Sequence, residues 1–321
     1  MRIPKVLYHY AKTLSAISIL ESKEIRLSDI AKSNDYLEGF MLYPDILGVI
    51  LSSYKAAPFE FKYEGCQNLD AIELLLDDTR SMLDRRIKEH TSTNFVFCFS
   101  ENGDLLSQWR AYADDGKGLC LGFDGRKMNE FCKQNPNVLL FTKVYYLTPN
   151  DYVEYLKEVA KRGLEELRGM RRWIVEEMTQ DDSSKDTDSL IGFNFFGWLE
   201  YRIAESYAFK ERHFSEEKEW RLFLYDVSYK QNAEFIFGER KRKSGPPVAA
   251  DTDTLLRNRM GFYVKCDDLI PFIPVSFNEL NEPLVSIITG PKSRIAVEDL
   301  NLFLCKHSLQ AQLRQSQVSY S

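Results

Sequence analysis

The chain has 321 residues, 44% of them hydrophobic and 28% charged, the composition of a globular protein long enough for one large core or two smaller ones. Its formal net charge of −6 argues against a protein that coats DNA through overall positive charge, and leaves room for a local basic cleft. The six cysteines form no C-x-x-C pair, which speaks against a zinc knuckle or a thioredoxin-type site; no apolar leader precedes the first strand, so a reduced, cytoplasmic setting is expected.

In chain order, Lys5 to Tyr10 reads as a strand, followed by an amphipathic helix carrying Leu14, Ile17, Ile19 and Leu20 and ending near Glu21. Ile25 to Ser28 is a short extended piece. Helical patterning runs from Tyr36 into the fifties and again from Leu69 to about Lys88, where Ile72, Leu75, Leu76 and Leu83 share one side. Asn94 to Ser100 is β-prone, Leu105 to Tyr112 a short helix, Gly118 to Asp124 a buried strand and Val138 to Leu147 another. Asp151 to Met178 is a long charged helix. The polar loop 180–188 then leads into an aromatic helix, Leu190 to Phe209. Its most apolar run, about Ile191 to Leu199, is too short to cross a bilayer. Glu219 to Asp226, Gly261 to Lys265 and Val285 to Thr289 are strands, the last closed by Gly290-Pro291. A basic loop lies over Glu239 to Pro247. Val297 to Leu309 is a helix, and the polar sequence from Gln310 onward is expected to fray. The expected class is α+β: a single domain over 1–321 with a large helical insertion over 148–215.

Three separated segments carry capable side chains beside strand-like sequence. His9 alternates in phase with Leu7, so it points to the same side of its strand, where it is either a satisfied core histidine or a hydrogen-bonding group for a ligand. Ser100 ends an apolar strand and precedes Glu101-Asn102, which suits either a turn or a polar contact at the sheet edge. Glu217 and Glu219, two apart, share a face if extended geometry begins early. Paired carboxylates suit general-base work and stabilisation of a cationic transition state, and the same pattern also describes a solvated charge run. Trp109, Arg110 and Tyr112, on the short helix, offer a stacking and phosphate-binding wall, or core volume in the case of Trp109. Lys210 and Arg212, and Arg240, Lys241 and Arg242, are candidate nucleic-acid contacts or plain basic surface. There is no P-loop, G-x-G-x-x-G, H-E-x-x-H or G-x-S-x-G.

The succession LYHY, FCFSEN, LLSQWRAYA, GLCLGFD, FSEEKEWRLFLYD and IITGPK resembles a widespread bacterial family with an uncharacterised domain of the DUF2971 type, over roughly Tyr8 to Pro291. That family in turn is similar to the ADP-ribosyltransferase superfamily, whose three motifs carry a His or Arg, a Ser or Tyr, and a Glu that is often the second acid of E-x-E. The resemblance implies an ADP-ribosyltransferase-like split β-sheet core around NAD. It gives His9 the adenosine ribose, Ser100 a scaffold contact, Glu219 the nicotinamide ribose and Glu217 the acceptor, with Tyr10, Trp109 or Tyr112 stacking on nicotinamide and no metal. A histidine in the first motif and the lack of S-T-S in the second depart from the arginine-specific type. The expected function is NAD-dependent ADP-ribosyl transfer to nucleic acid by a toxin or anti-phage effector, with protein as the other acceptor class and an antitoxin or chaperone as a partner. The alternative is a sensor that binds nucleotide or nucleic acid without turnover. Transfer of a phosphate from RNA to NAD is a third reading, for which the motifs carry few basic neighbours.

Overall fold

The computed structural model describes residues 2–30, 48, 49, 52, 81, 95–135, 139–178, 208–224, 259–265 and 267–320. The helices expected from Tyr36 into the fifties and from Leu69 to about Lys88, apart from residues 48, 49, 52 and 81, the polar loop 180–188, most of the aromatic helix and the basic loop with Arg240, Lys241 and Arg242 lie outside the described residues. The chain divides into two compact units, one formed by Met1–Ser33, Thr93–Val144 and His213–Ser321, the other by Asn34–Ser92 and Tyr145–Arg212.

In the first unit, β1 (Val6–Ala11) leads into α1 (Thr13–Ser22), which buries Ala16, Ile19 and Leu20 and leaves Leu14 exposed. Next come β2 (Glu24–Asp29), β3 (Phe95–Ser100), α2 (Leu106–Tyr112) and β4 (Leu119–Asp124). The Asp124 carboxylate then accepts the Arg126 and Lys127 backbone N–H groups and so starts α3 (Gly125–Gln134), a helix the sequence pattern did not announce. β5 is Leu139–Lys143.

The second unit holds β6 (Tyr145–Leu147), α4 (Pro149–Met178) and β7 (Phe209–Glu211), with β6 and β7 paired in parallel. The strand expected over 138–147 is therefore two strands, in different sheets, parted at Val144. Thr148 and Asp151 exchange reciprocal side-chain to backbone hydrogen bonds ahead of α4, and Pro149 takes the first helical position, where its missing N–H costs nothing.

The first unit continues with a 3-10 turn reaching Glu217, then β8 (Glu219–Leu224), β9 (Gly261–Lys265), β10 (Asp268–Ser276), β11 (Leu284–Thr289), α5 (Val297–Lys306) and β12 (Gln312–Gln315). The polar sequence expected to fray from Gln310 is thus partly a strand: its backbone completes a ladder with β11 that needs no apolar side chains. No described helix is long and apolar enough to cross a membrane.

The main sheet has ten strands in the order β12-β11-β4-β1-β3-β2-β10-β9, with β8 on β3 and β5 on β8. Its pairs are antiparallel except β11–β12. The protein is mixed α+β with a mostly antiparallel sheet. β3 is the hub. One edge pairs along its whole length with β8, from Phe95↔Leu224 to Ser100↔Glu219. The other edge pairs with β2 at Phe95 and Val96 and with β1 only at Ser100. Between those contacts the sheet forks.

Period-2 alternation sorts the side chains onto two faces. Leu7, Ala11, Phe95, Phe97, Phe99, Leu121, Phe123, Trp220 and Leu222 share the large core with Leu20 of α1, Met128 of α3 and Leu300 of α5. Phe97, Phe99 and Phe123 meet edge to face, an arrangement that adds to the burial term. The second face carries Tyr10, Cys120 and Ile288, covered by Trp109 and Ala113. One register row crosses the second face from Ser286 through Gly122 and Tyr8 to Ser100 and Glu219. At position 122 the row is tight: a Cβ there would meet the Ser286 hydroxyl, which would have to turn away.

Candidate functional site

Ser100 stands where three strands meet, opposite Tyr8 on one side and Glu219 on the other. Its hydroxyl donates to the Glu217 carbonyl (2.7 Å) and accepts the Asn102 N–H (3.1 Å). Ser100 is 3% exposed, so its Oγ serves the backbone at the fork and fixes the turn that delivers the glutamates. Ser100→Ala strips a buried carbonyl of its donor and is expected to cost about 1–2 kcal/mol, read from the midpoint of urea unfolding.

Glu217 ends the 3-10 turn and is buried. Its Oε1 accepts the Tyr112 hydroxyl at 3.0 Å. The next residue, Lys218, is exposed and left-handed, with φ +43°. Glu101 N–H donates to the Lys218 carbonyl (3.1 Å), and the strand starts only at Glu219. Extended geometry therefore does not begin at Glu217, and the simple two-residue alternation expected of Glu217 and Glu219 is broken at Lys218. Both carboxylates are nonetheless buried: Glu217 beneath Tyr112 of α2, and Glu219 on the second face beside Ser100.

Glu219 does not stand alone. Its Oε1 accepts Arg221 Nε at 2.6 Å and its Oε2 accepts Nη2 at 2.9 Å, a bidentate pair with a guanidinium that has no exposed surface. Positions i and i+2 of one strand face the same way, so E-W-R already contained this pairing; Arg221 is the site residue that sequence reasoning passed over. Cys98 and Thr142 flank Arg221 on the neighbouring strands.

Next to Ser100 in the chain, Glu101 Oε1 accepts both Lys143 Nζ (2.7 Å) and the Trp220 indole N–H (2.8 Å). Burial works to raise the Glu101 pKa, yet the Lys143 and Trp220 hydrogen bonds hold it below the ordinary carboxylate range.

His9 does not join this group. It lies in phase with Leu7 on the core face, stacked on Phe97 with ring centroids 4.1 Å apart. Ser100 and Glu219 belong to the other alternation, on the second face. The His9 Nδ1 lies 2.8 Å from the Cys98 carbonyl. A carbonyl only accepts, so Nδ1 carries the proton, and the ring spans the gap between the forked strands. The loss of solvation on burial lowers the His9 pKa to about 4, against a smaller opposing effect of the Cys98 bond. The expected trio of imidazole, hydroxyl and carboxylate on one hollow is thereby corrected to hydroxyl and carboxylates alone.

The stacking wall is corrected as well. Trp109 is fully buried and donates its indole N–H to Asp104 (2.7 Å). Tyr10 is buried, donates to the Asn102 carbonyl and accepts the Leu105 N–H, both at 2.9 Å. Burial, first among several causes, pushes the Tyr10 phenol well above its ordinary pKa. Both rings are consumed by the core. Tyr112 is 37% exposed and uses its hydroxyl on Glu217. Arg110 is exposed, its guanidinium carbon 6.0 Å from the Tyr320 ring centre. Of the basic candidates, Lys210 is buried in β7 rather than displayed, and Arg212 is exposed; both belong to the second unit. Among the described residues no cluster of His, Cys, Asp or Glu could hold a metal ion.

Fold and site together define a class: a mixed α+β protein with a forked, mostly antiparallel sheet and two buried glutamates at the fork. Residues 108–222, which include Tyr112, Glu217, Glu219 and Arg221, match the model of a family described as a protein of unknown function (DUF2971). No curated protein and no solved structure matches the chain.

Proposed function

We propose that the protein is an NAD-dependent ADP-ribosyltransferase with a nucleic-acid acceptor, working at the fork through Glu217. The observation that carries this reading is the pairing of Ser100 with Glu219 across β3–β8, beside a break in the sheet and within one turn of Glu217. In the reaction, the bond between nicotinamide and ribose C1′ breaks and its electron pair leaves with nicotinamide. The acceptor atom bonds C1′, and its proton passes to the Glu217 carboxylate. A fixed carboxylate next to the oxocarbenium-like centre stabilises charge that exists mainly at the transition state. Lys218, exposed between the two glutamates, suits the phosphates of donor or acceptor. His9 lies on the core face, away from the glutamates, and the adenosine ribose of this reading is left without the partner the resemblance gave it.

The test is release of nicotinamide from NAD, with adenylate-labelled NAD to follow transfer onto RNA, DNA or protein. Glu217→Gln, checked for an unchanged circular dichroism spectrum, is expected to lose about 10²–10³ in rate. Equal rates for parent and variant would remove Glu217 from the chemistry. Transfer to protein alone would move the acceptor class.

One observation favours a second reading, a sensor that binds a nucleotide or nucleic acid without turnover. Both Glu219 oxygens already accept from Arg221, so a ribose hydroxyl meets a carboxylate whose charge is largely balanced and must share its remaining lone pairs. Calorimetric binding of NAD with no nicotinamide release under any acceptor supports that reading.

A further inference from the structure

The I-I-T-G-P-K motif and the polar sequence after β12 have no part in the chemistry above, yet they converge on α2. Asp104, just ahead of α2, accepts the Trp109 indole (2.7 Å), the Ser316 hydroxyl (2.6 Å) and the Gln317 backbone N–H (2.7 Å). Asp115, just beyond α2, accepts the Tyr320 hydroxyl (2.6 Å) and the Lys292 ammonium (3.0 Å). Lys292 Nζ also lies 3.8 Å from the centre of the Tyr320 ring, a cation–π contact. Between these two anchors, Val318 packs on the cluster of Tyr10, Trp109 and Ala113.

The turn gripped at the far end is unusual. Asp114, Asp115 and Gly116 are all left-handed, with φ of +48°, +54° and +87°. Aspartate tolerates that region and glycine is at ease in it, whereas most residues are strained there. Lys292 N–H donates to the Gly116 carbonyl (2.9 Å), so the G-P-K loop holds this turn from one side while Tyr320 holds Asp115 from the other.

We propose that segment 312–320 is a strap that fixes α2 at both ends and, through α2, sets the Tyr112 hydroxyl on the Glu217 carboxylate. Helix α2 has seven residues and no side-chain cap at its start, too short to persist on its own. It therefore takes its position from what grips it. Tyr112 is its last residue, three positions before Asp115. The strap itself is weakly held: three of the four β12 residues are exposed, and Leu313 and Val318 are the apolar residues that pack it down. An outer strand with so little buried apolar surface opens well below the free energy of global unfolding. Opening it takes the Ser316 and Gln317 donors from Asp104 and the Tyr320 hydroxyl from Asp115, leaving Lys292 on Asp115 and the Trp109 indole on Asp104, and so loosens both ends of α2 and with them Tyr112. This device does not depend on which reaction the site performs.

The experiment is hydrogen exchange by mass spectrometry on the full chain. Gln317→Pro removes the backbone donor to Asp104; Tyr320→Ala removes the hydroxyl and the ring. In the double variant, peptides spanning 105–117 are expected to exchange at least ~10-fold faster, with β1 and β4 unchanged. Tyr320→Phe, which loses only the bond to Asp115, is expected to speed the 113–117 turn and to leave the start of α2 at its parental rate. Faster exchange confined to 312–320 would overturn the coupling, as would a uniform acceleration that includes β1 and β4.

Discussion

Glu219→Ala is expected to lower the free energy of unfolding by about 3–5 kcal/mol, the cost of removing one partner from a buried ion pair. The cause is Arg221, which has no exposed surface and directs two N–H groups at the Glu219 carboxylate. Taking that carboxylate away removes a bidentate, charge-assisted partner from a guanidinium in a medium that solvates it poorly. The double variant Glu219→Leu, Arg221→Met removes both charges at similar volume and is expected to recover at least half of the loss. Urea unfolding of the parent, Glu219→Leu, Arg221→Met and the double variant gives the coupling directly. A coupling near zero would mean that the pair is not a unit. The result also governs how activity data on this protein are read. An inactive Glu219 variant reports on folding as much as on chemistry, so the unfolding midpoint of any Glu219 variant belongs beside its rate.

The second large effect is a dependence of stability on pH. The folded-state pKa of His9 is about 4, below its ordinary value of 6.5. Between those values the unfolded chain binds a proton that the folded protein refuses. The stabilisation is therefore complete above the unfolded pKa and disappears as pH falls through the folded one. The full change is on the order of 3 kcal/mol, with about 2 kcal/mol of it between pH 7 and pH 5. His9→Gln keeps an N–H for the Cys98 carbonyl and cannot titrate. Subtracting its pH profile from that of the parent isolates the histidine from carboxylates such as Glu101 and Glu279, whose lowered pKa values put their own losses at more acidic pH. Parallel profiles over pH 7 to 5 would show that the ring is not held neutral.

How much was legible depends on what kind of force makes each element. The apolar strands β1, β3, β4, β8 and β11 were readable because burial drives them, and burial leaves a pattern in sequence. His9 was correctly phased with Leu7. Its separation from Ser100 was hidden because β3 is apolar on both faces: Phe95, Phe97 and Phe99 alternate with Val96 and Cys98, so no period marks the side to which Ser100 turns. The split between Glu217 and Glu219 was hidden by Lys218, a residue type that gives no warning of a left-handed backbone. α3 is not marked by a strong apolar stripe: its first residue is a glycine, and what starts it is the Asp124 cap at the end of β4. β12 was missed because its ladder is made by backbone groups, which every sequence possesses. Conversely, the sidedness of Glu219 and Arg221 was available from strand spacing alone.

The hub position of β3 has a consequence for how the molecule is made. Its full-length partner, β8, arrives late: Trp220 is 119 positions beyond Glu101, the residue its indole contacts. Closing a loop of that size costs entropy before any pairing repays it, so assembly of this sheet belongs to the slow, non-local class. Until β8 docks, Phe95 to Phe99 present an apolar ribbon with one ladder edge open along its length, the kind of surface that pairs with foreign strands. The yield of native protein is thus set by the race between β8 docking and self-association, and lower temperature or slower synthesis during expression tilts that race toward the folded chain.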